Sequence, residues 1–128
     1  MKTSIASFFT RTPSNEGSRL FLKDPVTDQP SEEWLHVLGF ESDAFSAAMA
    51  VKQRRMSEIR ALPEEEREGA AKEAVVQMLV SLVADWSFEE ECTPDNVKTL
   101  FSEAPYIQSA VDAFAANRAN FIKPRLTN

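Results

Sequence analysis

The most apolar stretch of the chain is AVVQMLVSLVADWSF, residues 74–88. Polar residues recur in and beside it at every fourth position, which places them on one narrow stripe of an α-helix. A helix that is apolar on the rest of its surface lies inside a core or under a partner. The pattern therefore predicts a central helix that ends near Trp86. The polar stripe consists of Glu73, Gln77, Ser81 and Asp85.

Two shorter apolar segments, RLFLK and EWLHVL, precede that stretch and are joined by DPVTDQPS. The joining residues are rich in Asp and Pro, which is typical of a long hairpin loop. Alternation along the second segment places Leu35 and Val37 on one face and Trp34, His36 and Leu38 on the other. Because an isolated hairpin is marginal in water, we expect this one to pack on helices.

Capping residues divide the remaining chain into about four helices. Ser42 is an N-cap for a repeat of apolar residues at helical spacing, and Pro63 suits the first turn of the helix that runs into residues 74–88. Thr93 caps a third amphipathic segment, and Pro105 begins a fourth.

These patterns predict an α+β, mainly α fold in which an N-terminal β-hairpin packs on a bundle of about four helices. The length suits one domain, residues 1–128. Residues 1–18 show no sustained period and are expected to form a flexible arm. The hairpin is assigned to 19–40, the helical part to 43–120 and a C-terminal tail to 121–128.

The chain carries a net charge of −6 and has a pI of about 4.8. Such a surface repels phosphate, so we expect no binding to nucleic acid. The acid is unevenly placed, because residues 85–103 contain six acidic residues and one basic residue, a net charge of −5. A concentration of this kind can steer a partner of opposite charge.

Membrane association is not expected either. A spanning helix needs about 20 mostly apolar residues, and Lys72, Glu73 and Asp85 interrupt the apolar stretch within that length. The segment after Lys2 is too broken by Ser and Thr for a signal peptide. The single cysteine, Cys92, fits a reducing compartment.

The sequence offers little material for catalysis, cofactors or metals. Three glycines leave no phosphate-binding loop. His36, the only histidine, is most simply a packed strand residue. Cys92 follows three glutamates, which should raise the pKa of its thiol rather than activate it. We therefore expect a protein that is not an enzyme and has no cofactor and no metal site.

Three stretches resemble the tail assembly chaperones of long-tailed double-stranded DNA phages and prophages. The first is FFTRTPSNEGSRLFLKDPVTDQPSEEWLHVLGFESDAF, residues 8–45. The second is LVADWSF, residues 82–88, and the third is TPDNVKTLFSEAPYIQSAVDAFAANRANF, residues 93–121. Their order carries the resemblance more than any one motif does. The charged middle, residues 60–73, adds nothing to it.

The resemblance implies a non-enzymatic morphogenesis factor that acts in the cytoplasm of the infected bacterial host and is absent from the mature virion. Such a factor binds the long, apolar tape measure protein, keeps it soluble and helps to recruit subunits of the tail tube protein. Many relatives also have a longer, frameshifted form. Apolar patches ringed by acid would suit a chaperone that covers apolar helices without aggregating.

Two alternatives remain open at this stage. The uneven acid also suits an acidic helical inhibitor or DNA-mimic protein of phage origin. The second alternative is a small enzyme that uses His36 or Cys92. Binding to tail proteins rather than to host nucleases would distinguish the chaperone from the mimic.

Coating a long client requires many copies, so we also expect weak self-association, head-to-tail through the arm. The contact should be weak because ordering the arm costs about 1–2 kcal/mol for each residue that becomes fixed. Several apolar side chains are hard to place together in a core of this size and are the candidates for partner binding. They are Phe8, Phe9, Val76, Val80, Phe121 and Ile122.

Overall fold

The computed structural model describes residues 2–122. Eight regular elements follow one another along the chain, with a 3₁₀ turn at each end, Ile5–Phe8 and Arg118–Asn120. The expected α+β, mainly α fold is confirmed. The elements are α1 (Arg11–Glu16), β1 (Ser18–Lys23), β2 (Pro30–Val37), α2 (Asp43–Ile59), α3 (Glu64–Val80), β3 (Val83–Trp86), α4 (Pro94–Glu103) and α5 (Pro105–Ala116).

The strands form one antiparallel sheet in the order β1-β2-β3. Leu35, on the central strand, lies opposite Leu20 on one side and Trp86 on the other. Leu35 and Val37 are completely buried, while Trp34 and His36 are half-buried on the opposite face. The alternation predicted for the second strand is therefore confirmed for these residues.

The helices begin at the expected caps. The hydroxyl of Ser42 accepts a hydrogen bond from the backbone N–H of Phe45, and that of Thr93 accepts one from Asn96. These bonds satisfy amide groups that the first turn of a helix leaves unpaired. The predicted four helices correspond to α2–α5.

Residues 74–88 do not form one helix, and this part of the prediction is wrong. Helix α3 ends at Val80, a short turn follows, and Val83–Trp86 form strand β3 along β2. The N–H of Leu38 also donates to the carbonyl of Leu82, 2.8 Å away. Ending the helix early covers an edge of β2 that would otherwise leave backbone groups unpaired.

The arm differs from its prediction as well. Residues 11–16 form helix α1, and Ser14 within it is buried. The carbonyl of Ser14 accepts a hydrogen bond from Gly39, and the side chain of Asn15 caps α2 by accepting one from the N–H of Asp43 at 2.7 Å. These contacts fix the second half of the predicted arm, whereas residues 2–9 are exposed. The part of the predicted tail at 123–128 lies outside the described residues.

The core lies between the sheet and the helices. It is built from residues of the central and third strands, the end of α3, and the inner faces of α4 and α5. Phe101 and Val97 of α4 and Val111 of α5 are almost completely buried. The last turn of α3 and the strand after it therefore belong to one continuous apolar interior.

Candidate partner-binding surfaces

The aromatic pair of the arm lies on the surface. Phe8 and Phe9 are 76% and 61% exposed, and Ile5, in the same 3₁₀ turn, is 77% exposed. The side chains at i and i+3 of a 3₁₀ turn are eclipsed, so Ile5 and Phe8 share one face. The turn is closed by Ser4, whose hydroxyl accepts from the N–H of Ala6. The structure thus leaves the two phenylalanines available for a partner.

Of the predicted partner face at Val76 and Val80, Val80 is not available to a partner, and the role of Val76 stays a prediction. Val80 is buried, with 5% of its surface exposed, and Val76 packs partly buried against the core. Both side chains therefore contribute to the apolar interior, Val80 fully and Val76 in part.

Phe121 also belongs to the interior, whereas Ile122 does not. Phe121 is 8% exposed, and its ring meets that of Phe114 edge-on at a centroid distance of 5.6 Å. Ile122 is 38% exposed and lines a cleft of about 400 Å³ beside Phe40. Phe121 is therefore unsuited to the partner role predicted for it, and only Ile122 of this pair faces solvent.

A groove that was not predicted as a site lies between the end of β3 and helix α4. Its floor is apolar and comes from Trp86, Phe88 and Leu100, with Trp86 and Phe88 edge-to-face at a centroid distance of 5.4 Å. Its volume is about 350 Å³, which is at the small end of ligand sites in proteins. Two exposed carboxylates, Glu90 and Glu103, stand on its rim. We call this surface the acid-rimmed groove. Its remaining lining residues are Asn96 and Thr99.

Hydrogen bonds hold the acidic connection 87–91 in place around the groove. The indole N–H of Trp86 donates to the carbonyl of Glu90 at 2.6 Å, and the amide of Asn96 donates to the carbonyl of Glu91 at 2.8 Å. The hydroxyl of Ser87 donates to the carboxylate of Glu33 on β2. The backbone of the connection that carries Glu90 is therefore held in a defined position beside the groove.

A second shallow groove, of about 370 Å³, separates α2 and α3. Ala48, Val51 and Ala74 supply its apolar surface, and Val51 is 53% exposed. Lys52, Arg55 and Glu73 are its charged lining residues. It offers a comparison surface of similar size without the acidic excess of the first groove.

The two residues considered for catalysis, His36 and Cys92, each have a defined environment. His36 has its Nε2 atom 2.7 Å from the carbonyl oxygen of Glu16, which ties the ring to the end of α1. Cys92 is half-buried, and burial raises the pKa of its thiol, with a further contribution from the charge of Asp85. The pKa of Cys92 is raised, as the sequence predicted. The main cause is burial, however, and not the charge of the three preceding glutamates.

Residues 2–122 contain no cluster of three or more His, Cys, Asp or Glu side chains that could hold a metal ion. None of the helices in that range is long and apolar enough to cross a membrane. No known protein family, characterised protein or solved structure matches this chain.

Proposed function

We propose that this protein is a non-enzymatic tail assembly chaperone of a long-tailed phage or prophage. It binds the tape measure protein, keeps that protein soluble in the cytoplasm of the infected bacterium and helps to recruit tail tube subunits. The observation that supports the proposal best is the acid-rimmed groove, a partly buried apolar depression with carboxylates on its rim, on a chain of net charge −6.

The floor of the groove suits the apolar face of a helix. The half-buried side chains of Phe88 and Leu100 line this open depression, together with the buried Trp86. An amphipathic helix binds such a groove by inserting side chains from successive turns. A long helical protein exposes many such faces, so several chaperone copies would cover one client.

The rim explains how a chaperone with an open apolar groove stays dispersed. Glu90 and Glu103 stand beside the floor, and the rest of segment 85–103 adds further acid. Like charges on two copies repel when their grooves approach each other, which opposes contact between two apolar floors. The aromatic floor also favours a chaperone over a DNA mimic, since a mimic needs carboxylates alone.

The first test is the gene's neighbourhood. A tail tube gene upstream and a very long open reading frame of helical pattern downstream are expected. The long reading frame then supplies the tape measure protein for co-expression with this chain. The soluble fraction of the tape measure protein should rise when the chain is present.

Two matched variants test the groove itself. Phe88→Ser removes an aromatic ring from the acid-rimmed groove, and Val51→Ser removes an exposed apolar side chain from the α2–α3 groove. We expect the first to lower the soluble fraction of the tape measure protein and the second to leave it unchanged, with urea unfolding confirming that both variants fold. Equal results for wild type and Phe88→Ser would argue against the groove as the client site. If the chain binds a host nuclease and Phe88→Ser leaves that binding unchanged, the DNA-mimic function is favoured instead.

A further inference from the structure

Strand β1 forms one edge of the sheet, and the hydrogen bonds of its neighbour β2 fix which way its backbone groups face. The N–H of Trp34 donates to the hydroxyl of Ser87 at 2.9 Å, and the carbonyl of Trp34 accepts from the N–H of Ser87 at 3.1 Å. Both groups of Trp34 therefore face the β3 side. Successive residues of a strand direct their backbone groups to opposite sides, so Leu35 faces β1, where it lies opposite Leu20.

The same alternation turns the backbone groups of Arg19 and Phe21 away from the sheet, since Leu20 between them faces β2. Lys23 follows this pattern, because its carbonyl accepts from the phenol of Tyr106 on α5, 2.8 Å away. Within residues 2–122, no group outside the sheet bonds to the outward N–H and carbonyl groups of Arg19 and Phe21. Such a row of unpaired backbone groups is a template for a further strand.

A groove of about 410 Å³ lies along this edge, between β1 and α5. Leu20 and Leu22, which pack in or against the core, line it from β1, and Tyr106, Ile107 and Ala110 line it from α5. A strand added to β1 would direct alternate side chains into the groove, on the face that Leu20 and Leu22 share. We call the unpaired backbone groups and this groove together the β1 edge.

The outer face of the β1 edge carries two bases around one apolar ring. Arg19, Phe21 and Lys23 are exposed there, Phe21 at 51%. Within residues 2–122 neither base forms an ion pair, and the Arg19 guanidinium lies 4.0 Å from the ring centroid of Trp34. Asp28, from the hairpin loop, also lines the groove and offsets part of the charge at its Lys23 end. The bases therefore favour an acidic occupant.

The same bases oppose pairing between the edges of two copies. In an antiparallel pair centred on Phe21, Arg19 of each copy would lie opposite Lys23 of the other, and like charges directly opposite are destabilising. Acidic residues at those two positions would be attracted instead. The β1 edge is thus complementary to a different chain rather than to itself.

We propose that the β1 edge binds an extended, acidic segment of a partner protein as a fourth, antiparallel strand. The segment has the pattern acid, three apolar residues, acid. Its central residue lies opposite Phe21 and exchanges both backbone hydrogen bonds with it, while its acids lie opposite Arg19 and Lys23. The other two apolar side chains enter the groove. The affinity is low, because ordering an extended segment offsets much of the gain.

This inference goes beyond the proposed function and does not depend on it. The β1 edge and the acid-rimmed groove share no lining residue, and one suits an extended strand whereas the other suits a helix. Phe88→Ser should therefore leave binding at the β1 edge unchanged. A chain that binds the segment without any effect on the solubility of the tape measure protein would support the inference and argue against the proposed function.

The probe is the synthetic peptide Ser-Glu-Val-Val-Val-Glu-Ser, blocked at both ends and added to the isotope-labelled full chain. NMR follows the hydrogen exchange of each backbone amide. With about 90% of the chain bound, the N–H groups of Arg19 and Phe21 should exchange about tenfold more slowly, since each gains a hydrogen bond. The N–H of Leu20 already faces β2 and should change little.

Two methylated peptides test the hydrogen-bond pattern. N-methylation of the central valine removes the N–H that would donate to the carbonyl of Phe21. N-methylation of the next valine removes an N–H that points away from β1 in the same strand. We expect the first to weaken binding about tenfold or more and the second to leave it within about threefold.

Charge exchange tests the recognition of the two acids. Arg19→Glu with Lys23→Glu should bind the peptide about tenfold more weakly and should bind Ser-Lys-Val-Val-Val-Lys-Ser in its place. The control, Arg54→Glu with Arg60→Glu, makes the same change of net charge at exposed positions that do not line the groove and should bind as the wild type does.

Four outcomes would overturn the inference. One is no binding up to about 1 mM peptide. A second is binding that leaves exchange at Arg19 and Phe21 unchanged, as for a helix lying in the groove. A third is protection of these amides that rises with protein concentration without peptide, which would assign the edge to a second copy. The last is equal weakening by both methylated peptides or by both charge variants, with urea unfolding showing that the variants are folded.

Discussion

Gly39 packs directly against the hydroxyl of Ser14, and a Cβ atom on Gly39 would stand 2.2 Å from Ser14 Oγ. The N–H of Gly39 also donates to the carbonyl of Ser14 at 3.1 Å. This close approach between α1 and the chain after β2 holds α1 on the domain. It also leaves Ser14 Oγ buried without a hydrogen-bond partner among residues 2–122.

Replacing Gly39 by alanine should therefore destabilise the fold. The added methyl group overlaps Ser14 Oγ and also approaches the ring of Phe121 to 3.2 Å. We expect a loss of about 1–3 kcal/mol in the free energy of unfolding, as for other overpacked sites. Urea unfolding followed by tryptophan fluorescence measures it. A change near zero would show that α1 is not held at this point.

Ser14→Ala, unlike Gly39→Ala, should not lower the stability of the fold. The hydroxyl makes no hydrogen bond within the described residues, so its removal relieves a buried unpaired polar group. We expect unfolding free energy to stay within about 1 kcal/mol of wild type or to rise. Combined with Gly39→Ala, it should recover part of the loss, and a double-mutant cycle gives the coupling. Strictly additive effects would contradict direct contact between the two sites.

Trp86 should contribute strongly to stability. It is 8% exposed, lies opposite Leu35 in the sheet and donates its indole N–H to the carbonyl of Glu90. Trp86→Ala should cost about 3–5 kcal/mol in urea unfolding. Trp86→Phe should cost less, because it keeps an aromatic ring in the core and loses mainly the hydrogen bond. A cost below about 1 kcal/mol for Trp86→Ala would mean that the ring is not part of the core.

The ion pair between Glu41 and Arg118 should make stability depend on pH. The guanidinium of Arg118 donates to Glu41 at 2.8 Å and the hydroxyl of Thr10 at 3.0 Å, and these hydrogen bonds lower the pKa of Glu41 below its ordinary value of 4.5. A lowered folded-state pKa stabilises the fold above the unfolded value, and this contribution is lost as pH falls through the folded value.

The measurement compares the wild type with Glu41→Gln in urea unfolding from about pH 7 to about pH 3. The variant should be less stable near neutral pH, and the difference should shrink as the wild-type carboxylate becomes protonated. Arg118→Gln removes the same bond from the other side and should show the same trend. A difference that stays constant across the range would show that the pKa of Glu41 is not lowered by this pair.

Cys92 should react slowly in the folded protein. Burial raises the pKa of its thiol, and the nearby charge of Asp85 raises it further. Since the thiolate is the reactive form, alkylation by iodoacetamide near pH 7.5 should be slower in the folded chain than in the chain unfolded in urea. Asp85→Asn should increase the folded-state rate modestly. Mass spectrometry follows the reaction, and a folded-state rate equal to or above the unfolded one would contradict the expectation.

Features of the fold that depend on neighbouring residues were predictable from the sequence. Ser42 and Thr93 cap their helices through amides three residues away, and alternation put Leu35 and Val37 on one shared face of the strand, which the structure buries. Each of these signals acts within one turn or one strand. For the same reason, the exposure of Phe8 and Phe9 could be predicted from a segment that offers no period to bury them.

The acid-rimmed groove was only partly predictable. The charge of segment 85–103 is visible in the sequence, and Phe88 beside three glutamates is a signal for an apolar surface with an acidic border. The third floor residue, Leu100, comes from a different element, α4. Only the packing of that helix beside β3 brings the floor together.

The sequence by itself determined the helix caps, the hairpin, the acidic surface and the mainly α character, because each rests on short-range chemistry. The tertiary structure decided where residues 74–88 change from helix to strand, since a short apolar run is compatible with both and the open edge of β2 selects the strand. It also decided that α1 is ordered. A six-residue helix is unstable alone, and Gly39 and Asp43, more than 20 residues away, supply the hydrogen bonds that hold it.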